Sequence, residues 1–172
     1  MLKIVNRMSQ LKFSELMNVY YETNLENGAD LFSQFPVHVQ IREAELDFYR
    51  YLNDIFFHIK GAFYAIWEVD DHYSAALRME PYHDGWLLSG LETAPDSRRR
   101  GYATQLITSV TDYLLRSGAV RIYSHVSKDN RPSLSAHLKC GFQIVLDYAV
   151  YLDGSVHHNS YTLIYDAKES EA

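Results

Sequence analysis

Three consecutive arginines, Arg98, Arg99 and Arg100, run into Gly101, Tyr102 and Ala103, and here the residue types suit anion binding. The first N–H groups of a helix have no internal partner, and the helix dipole favours negative charge in front of them. Gly101 lets the backbone come close to a ligand, and Ala103 keeps the next turn small. Arginines on the approach add charge and forked hydrogen bonds. The spacing is neither the G-x-x-x-x-G-K-S/T of a P-loop nor the G-x-G-x-x-G of a dinucleotide fold. Read alone, the segment is equally a solvated loop with a glycine near a helix start.

The elements around this segment can be read from periodicity and turn residues. Residues 2–5 form an apolar run that predicts an edge strand. Spacing predicts a helix over 13–25, with Leu16, Val19 and Tyr20 inward and Asn27–Gly28 as its end. A longer helix is expected over 41–59, striped by Leu46, Tyr49, Leu52, Ile55, Phe56 and Ile59. Strand-like runs at 62–69, 73–80 and 86–93 are separated by Asp70, Asp71 and by His83, Asp84, Gly85, which predicts an antiparallel meander. The pattern then changes to a helix over 101–117, closed by Gly118. A strand (120–126), a short helix (132–139) and strands at 142–152 and 158–165 follow. The fold class is therefore α/β with a mixed sheet. A strand–helix–strand–helix unit is set into an antiparallel meander, and its crossover makes two strands parallel and right-handed. Residues 168–172 read as a charged, frayed tail.

A chain of 172 residues, 47% of them hydrophobic, suits one folded domain over 1–172. The net charge of −6 argues against nucleic acid as a partner, because that affinity rests on phosphate neutralisation. One cysteine, Cys140, allows no intrachain disulfide and suits a reducing compartment. No apolar run reaches the length of a membrane span, and residues 1–10 lack a signal-peptide core. The expectation is a cytoplasmic protein with no membrane partner. The eight histidines are scattered without metal-ligand spacing, so no metal is expected.

Two motifs in order resemble the GNAT superfamily of N-acetyltransferases. Its cofactor signature, Q/R-x-x-G-x-G/A after an L-x-V-x-P strand end, is met by Arg98, Gly101 and Ala103 after Leu91, Thr93 and Pro95. Thr93 stands where valine is usual, a β-branched swap. The second signature, N-x-x-A/S-x-x-L/A-Y/H-x-K-x-G-F, is met by Asn130, Ser133, Ala136, His137, Lys139, Gly141 and Phe142. The resemblance implies a GNAT-like fold with splayed parallel strands and acetyl-CoA as acyl donor. It also implies that Arg98 and the backbone from Arg99 through Arg100, Gly101, Tyr102 and Ala103 to Thr104 hold the CoA pyrophosphate. The main chain of Leu91 and Thr93 would pair with the pantetheine arm like an added strand. Asn130 and Ser133 would lie beside the cofactor, though Asn130 is also a good helix N-cap.

Family chemistry then assigns roles. Transfer is direct, within a ternary complex, to an amine that must be neutral. A lysine-like amine is neutral in only about one molecule in a few thousand at pH 7. Glu92, on the strand leading into the cofactor loop, is the first candidate for the base, with Glu80 and Asp84 behind it. His137 stands where much of the family has a tyrosine, and is the candidate acid for the leaving thiolate. Cys140 reads as a packing residue. Against the enzyme stands a CoA-binding sensor or scaffold of the same fold. The acceptor's identity is not legible, and pairing of two copies through the late strands is a family expectation.

Overall fold

Alternation and turn signals resolve into a mixed sheet in the computed structural model, which describes residues 1–170. In chain order the elements are β1 (Leu2–Val5), α1 (Phe13–Val19), α2 (Tyr21–Leu31), α3 (Val37–Asp54), β2 (Phe63–Val69), β3 (His72–Tyr82) and β4 (Gly85–Thr93). Then come α4 (Tyr102–Arg116), β5 (Arg121–Ser127), α5 (Arg131–Lys139), β6 (Gln143–Leu146), β7 (Ala149–Val150), β8 (Val156–His157), β9 (Ser160–Asp166) and α6 (Ala167–Ser170). The seven-stranded sheet runs β1-β2-β3-β4-β5-β9-β6, and β7 pairs only with β8. The β4–β5 pair is parallel, joined by the α4 crossover, and the remaining pairs of this sheet are antiparallel.

Strand alternation sends side chains to two cores. Ala65, Leu77, Met79, Leu88 and Ile122 meet Leu106, Ile107 and Val110 of α4 on one face. Tyr64, Ile66 and Ala76 meet Leu16, Val19 and Tyr20 of the first helices and Leu52 of α3 on the other. Both faces of the centre are thus dry, which fixes the register of β3 and β4.

Several sequence expectations need correction. The first helix does not end at Gly28. It breaks at Tyr20, whose ring is drawn inward against Phe48 and Tyr64, and resumes to Leu31. Gly28 is instead the point where α2 crosses α3, and a Cβ there would lie 2.7 Å from the Gln40 carbonyl oxygen. We expect Gly28→Ala to lose about 1–3 kcal/mol in denaturant unfolding, as overpacking does. The next helix begins at Val37 after extended Pro36 and stops at Asp54, giving way to a 3-10 turn over Phe56–His58. Its stripe is only half right. Leu52 and Phe56 are buried, but Leu46 and Tyr49 remain exposed, while Ala44, Phe48 and Tyr51 pack inward. The run 142–152 breaks after Leu146, because Thr162 Oγ1 donates to the Tyr148 carbonyl and Tyr82 Oη to that of Val150, holding the chain off the sheet. Residues 168–170 of the expected tail belong instead to helix α6, and 171–172 lie outside the described residues.

Candidate active site

The parallel pair opens. Residues Trp86, Leu87 and Leu88 of β4 face Ile122, Tyr123 and Ser124 of β5, and no pair forms beyond them. On the other side of β4 the register slips: Ala76 faces Glu92, while Arg78 faces Ser89. Two steps along β3 thus match three along β4, a bulge that turns β4 away from β5. Gly90 takes a positive φ of 59° in this bulge, and Tyr20 Oη donates to its carbonyl. An isolated glycine in a strand pattern is a bulge signal that the sequence reading passed over.

A cleft of about 630 Å³ fills the opening and the space before α4. Leu91, Glu92 and Thr93 form one wall, Asn130 and Ser133 another, and Arg98, Arg99, Gly101, Tyr102 and Ala103 the floor. Gly101 is left-handed (φ 79°) and α4 carries no side-chain cap at its N-terminus. Its first N–H groups therefore face the cleft's end without a side-chain partner, as anion binding requires. Arg99 is also left-handed, at φ 60°. Of the expected residues, Arg100 turns instead to a neighbouring cleft with Glu15 and His72, and Thr104 does not line the main one. Asn130 does cap α5, with Oδ1 accepting from Ser133 N at 3.1 Å.

α2 supplies a wall that the sequence reading missed: Glu22, Thr23 and Glu26. Acids spaced four apart on a helix face were the available signal. Glu22 takes the Arg98 guanidinium through both oxygens, at 3.1 and 2.6 Å. That pair removes one arginine from the apparent basic patch. Arg98 Nε also reaches the Thr93 carbonyl at 3.4 Å.

Glu92 is half-buried beneath this acidic rim, and Thr23 Oγ1 donates to its carboxylate. Burial pushes the Glu92 carboxyl above its ordinary range; Thr23 and Arg98 pull it down, and Glu22 and Glu26 add to the rise. Removing the Thr23 donor in Thr23→Val should therefore move the acid limb of a kcat/KM profile to higher pH, with the plateau kept.

His137 is buried, with Nδ1 2.8 Å from the Ser133 carbonyl and Nε2 2.9 Å from Ser124 Oγ. The carbonyl can only accept, so Nδ1 carries the proton and Nε2 accepts from the serine. Burial lowers its pKa, against the opposing pull of the hydrogen bond to the Ser133 carbonyl. Asp84 lies outside the cleft at the β3–β4 turn, 2.7 Å from Arg121 Nη1 and 2.6 Å from Tyr123 Oη. Glu80 does not line the cleft either. Cys140 Sγ is 3.6 Å from both the Thr104 carbonyl and Thr108 Oγ1, and burial pushes its thiol up.

Residues 26–142, well over half of the chain, match the model of the acetyltransferase (GNAT) family. The chain belongs to the GNAT acetyltransferase family. It is, by that membership, an acetyl-CoA-dependent acyltransferase. No curated protein sequence gives a significant match. The fold is shared with solved GNAT structures. The PaiA N-acetyltransferase of Thermoplasma acidophilum, in complex with coenzyme A, is 13% identical over 96% of this chain and 99% of its own, at a TM-score of 0.62. The ribosomal-protein-S18-alanine N-acetyltransferase of Escherichia coli is 15% identical over 96% and 94%, at 0.60. An aminoglycoside 6′-acetyltransferase of type Ii is 12% identical over 96% of both chains, at 0.63. Enzymes named for a ribosomal-protein alanine and for an aminoglycoside thus share one fold, so the fold alone does not set the acceptor. No helix among the described residues is long and apolar enough to cross a membrane, and they hold no cluster of ligands for a metal ion.

Proposed function

We propose that the protein moves an acetyl group from acetyl-CoA to a primary amine by direct attack in a ternary complex, with Glu92 as the base. The observation that carries this reading is the meeting of an anion cradle, an opened strand edge and a half-buried carboxylate in one cleft. The residues fit coenzyme A. The N–H groups after Gly101, with Arg99 beside them, suit the pyrophosphate. The free edge of β4 at Leu91 and Thr93 suits the amides of the pantetheine arm. The Asn130 side-chain nitrogen has no protein partner among the described residues and adds a donor on the far wall. The coenzyme A bound to the Thermoplasma neighbour supports the same donor.

Glu92 would take the proton that the ammonium must lose, directly or through a water. Its raised pKa brings its basicity closer to that of the amine. Glu22 and Glu26 favour an incoming cation. The amine then attacks the thioester carbonyl and the thiolate leaves. Cys140 is packed between α4 and α5 with its thiol disfavoured as thiolate, which speaks against an acyl-enzyme. His137, with both ring nitrogens engaged, holds α5 against β5 and orients Ser124; we read it as a positioning residue. A role as acid would require reversing the Ser124 hydrogen bond. We also read residues 1–172 as one domain, cytoplasmic, without a nucleic-acid or membrane partner. The exposed Ile144, Val145 and Leu146 on edge strand β6 support pairing of two copies.

Release of the CoA thiol, measured over a panel of primary amines, tests the reading. Release that depends on an amine and yields its acetamide supports it. Tight acetyl-CoA binding with every amine left unmodified would replace it with a CoA-holding sensor module.

A further inference from the structure

The bulge that opens the cleft rests on a cation that the mechanism above does not use. Arg78 projects from β3 toward α3, where its guanidinium lies over the rings of Tyr51 and Phe48 at 5.3 and 5.9 Å. None of its three nitrogens has a hydrogen-bond or ion-pair partner among the described residues, and Nε is sealed from solvent besides. Arg78 is half-buried, and arginines so placed are normally paired, since an unpaired charge in a low dielectric is costly. Stacking on aromatic faces offsets only part of that. Burial opposes the charge, but the surrounding phenols of Tyr64, Tyr20 and Tyr51 and the carboxylate of Glu80 more than compensate, so the pKa is raised and the cation persists. Glu80 contributes its field without forming an ion pair.

The location ties this cation to the site. A Cβ on Gly90 would lie 3.0 Å from both Nε and Nη2 of Arg78, so the guanidinium lies against the bulge itself. Gly90 and Leu91 of that bulge also line a second, smaller cavity of about 180 Å³ between β4 and β5, reached by Ser124, Ser127 and Asn130. Arg78 and Glu92 stand on neighbouring strands and flank the bulge, Arg78 facing Ser89 and Glu92 facing Ala76. Tyr20 and Tyr64 each feel both charges, so the base and the orphan cation are set around the same two phenols.

We propose that the acceptor is a zwitterion: a primary amine presented to Glu92, carrying a carboxylate or other anionic group that pairs with the Nη end of Arg78. The inference rests on the acetyl-transfer reading and names its substrate class. It sets amino acids and related amino-acids-by-charge apart from polyamines, whose second cation would face Arg78 at close range.

The test compares acids with their own amides. Glycine, β-alanine and γ-aminobutyrate, each beside its amide, together with O-phosphoethanolamine and spermidine, are offered to the wild type at saturating acetyl-CoA. At one chain length or more the acid should exceed its amide at least tenfold in kcat/KM, mainly through KM. Arg78→Met should collapse that ratio to near one, and Arg78→Lys should keep part of it. Phosphoethanolamine separates a phosphoryl from a carboxylate preference. Amides or spermidine preferred at every length would overturn the proposal, as would a Met variant in which acid and amide fall together with their ratio intact. Melting of each variant without ligand identifies one that has simply failed to fold, and the Lys variant then carries the comparison. Should no amine be acetylated, the acetyl-transfer reading falls, and calorimetry decides this one separately. Heat from γ-aminobutyrate or glycine added to the CoA complex of the wild type, absent with Arg78→Met, supports an anion site; no heat in either ends it.

Discussion

Gly101→Glu should lose the thermal stabilisation that acetyl-CoA confers on the wild type. A ligand present at 100 times its Kd stabilises the native state by about 2.7 kcal/mol, a clear rise in melting midpoint. Two effects combine in the variant. Gly101 sits at φ 79°, where an L-residue is disfavoured by roughly 1–2 kcal/mol. More important, the new carboxylate would stand at the uncapped end of α4, where the helix dipole accepts negative charge, and would take the position meant for a phosphate. The nearest heavy atom to a Cβ at this position is Gln105 Nε2 at 3.7 Å, so the side chain fits and the variant should fold. Gly101→Ala separates the two effects: it carries the backbone strain without the charge, and should keep most of the shift. If the glutamate variant responds to acetyl-CoA as strongly as the wild type, the phosphates do not bind in front of α4.

How much of this was legible in the sequence follows from what kind of information each part needs. The meander and the crossover helix were readable because alternation, Asp70–Asp71 and a four-residue periodicity are local signals. The arginine run alone reads equally as a solvated loop, and it was the two family signatures, local in sequence, that singled out Arg98, Gly101 and Ala103 of the segment now lining the cleft before α4. The side chain of Arg100 is a finer matter, for it lines the neighbouring cleft while Arg99 lines the main one. In a left-handed turn successive side chains diverge, so adjacent arginines reach different clefts, and no composition argument sees that. Glu22, Thr23 and Glu26 were missed because their importance comes from α2 folding back over β4, a contact some seventy residues away in sequence. Arg78 carries no signal of its own in the strand run 73–80. Only packing shows that both faces of β3 are covered and that α3 closes over it. Gly28 was misread for the converse reason: a glycine after asparagine is a fair helix stop, and only the approach of α3 makes it a packing residue.

Glu92→Gln should lower kcat/KM by roughly 10²- to 10⁴-fold, the range for loss of a general base, while the acetyl-CoA shift in melting persists. The reason is the amine. Bringing a lysine-like ammonium to its neutral form at pH 7 costs about 4–5 kcal/mol, and the cleft offers one half-buried carboxylate to take the proton. The same substitution should act on stability in the opposite direction. Burial raises the folded-state pKa of Glu92 above its unfolded value. Such a group contributes stability below its unfolded pKa and loses that contribution as pH rises through the folded one. At neutral pH the ionised Glu92 therefore weakens the fold, and glutamine, which can still accept from Thr23, removes the buried charge. The variant should melt higher than the wild type at pH 7, with the gain shrinking as pH falls through the carboxylate range. A residue kept for packing would show activity and stability falling together on substitution. One held under strain for chemistry shows them moving apart. Loss of turnover with a higher melting point at pH 7 would identify Glu92 as the base; loss of both would return it to the wall of the cleft and leave water alone to accept the proton.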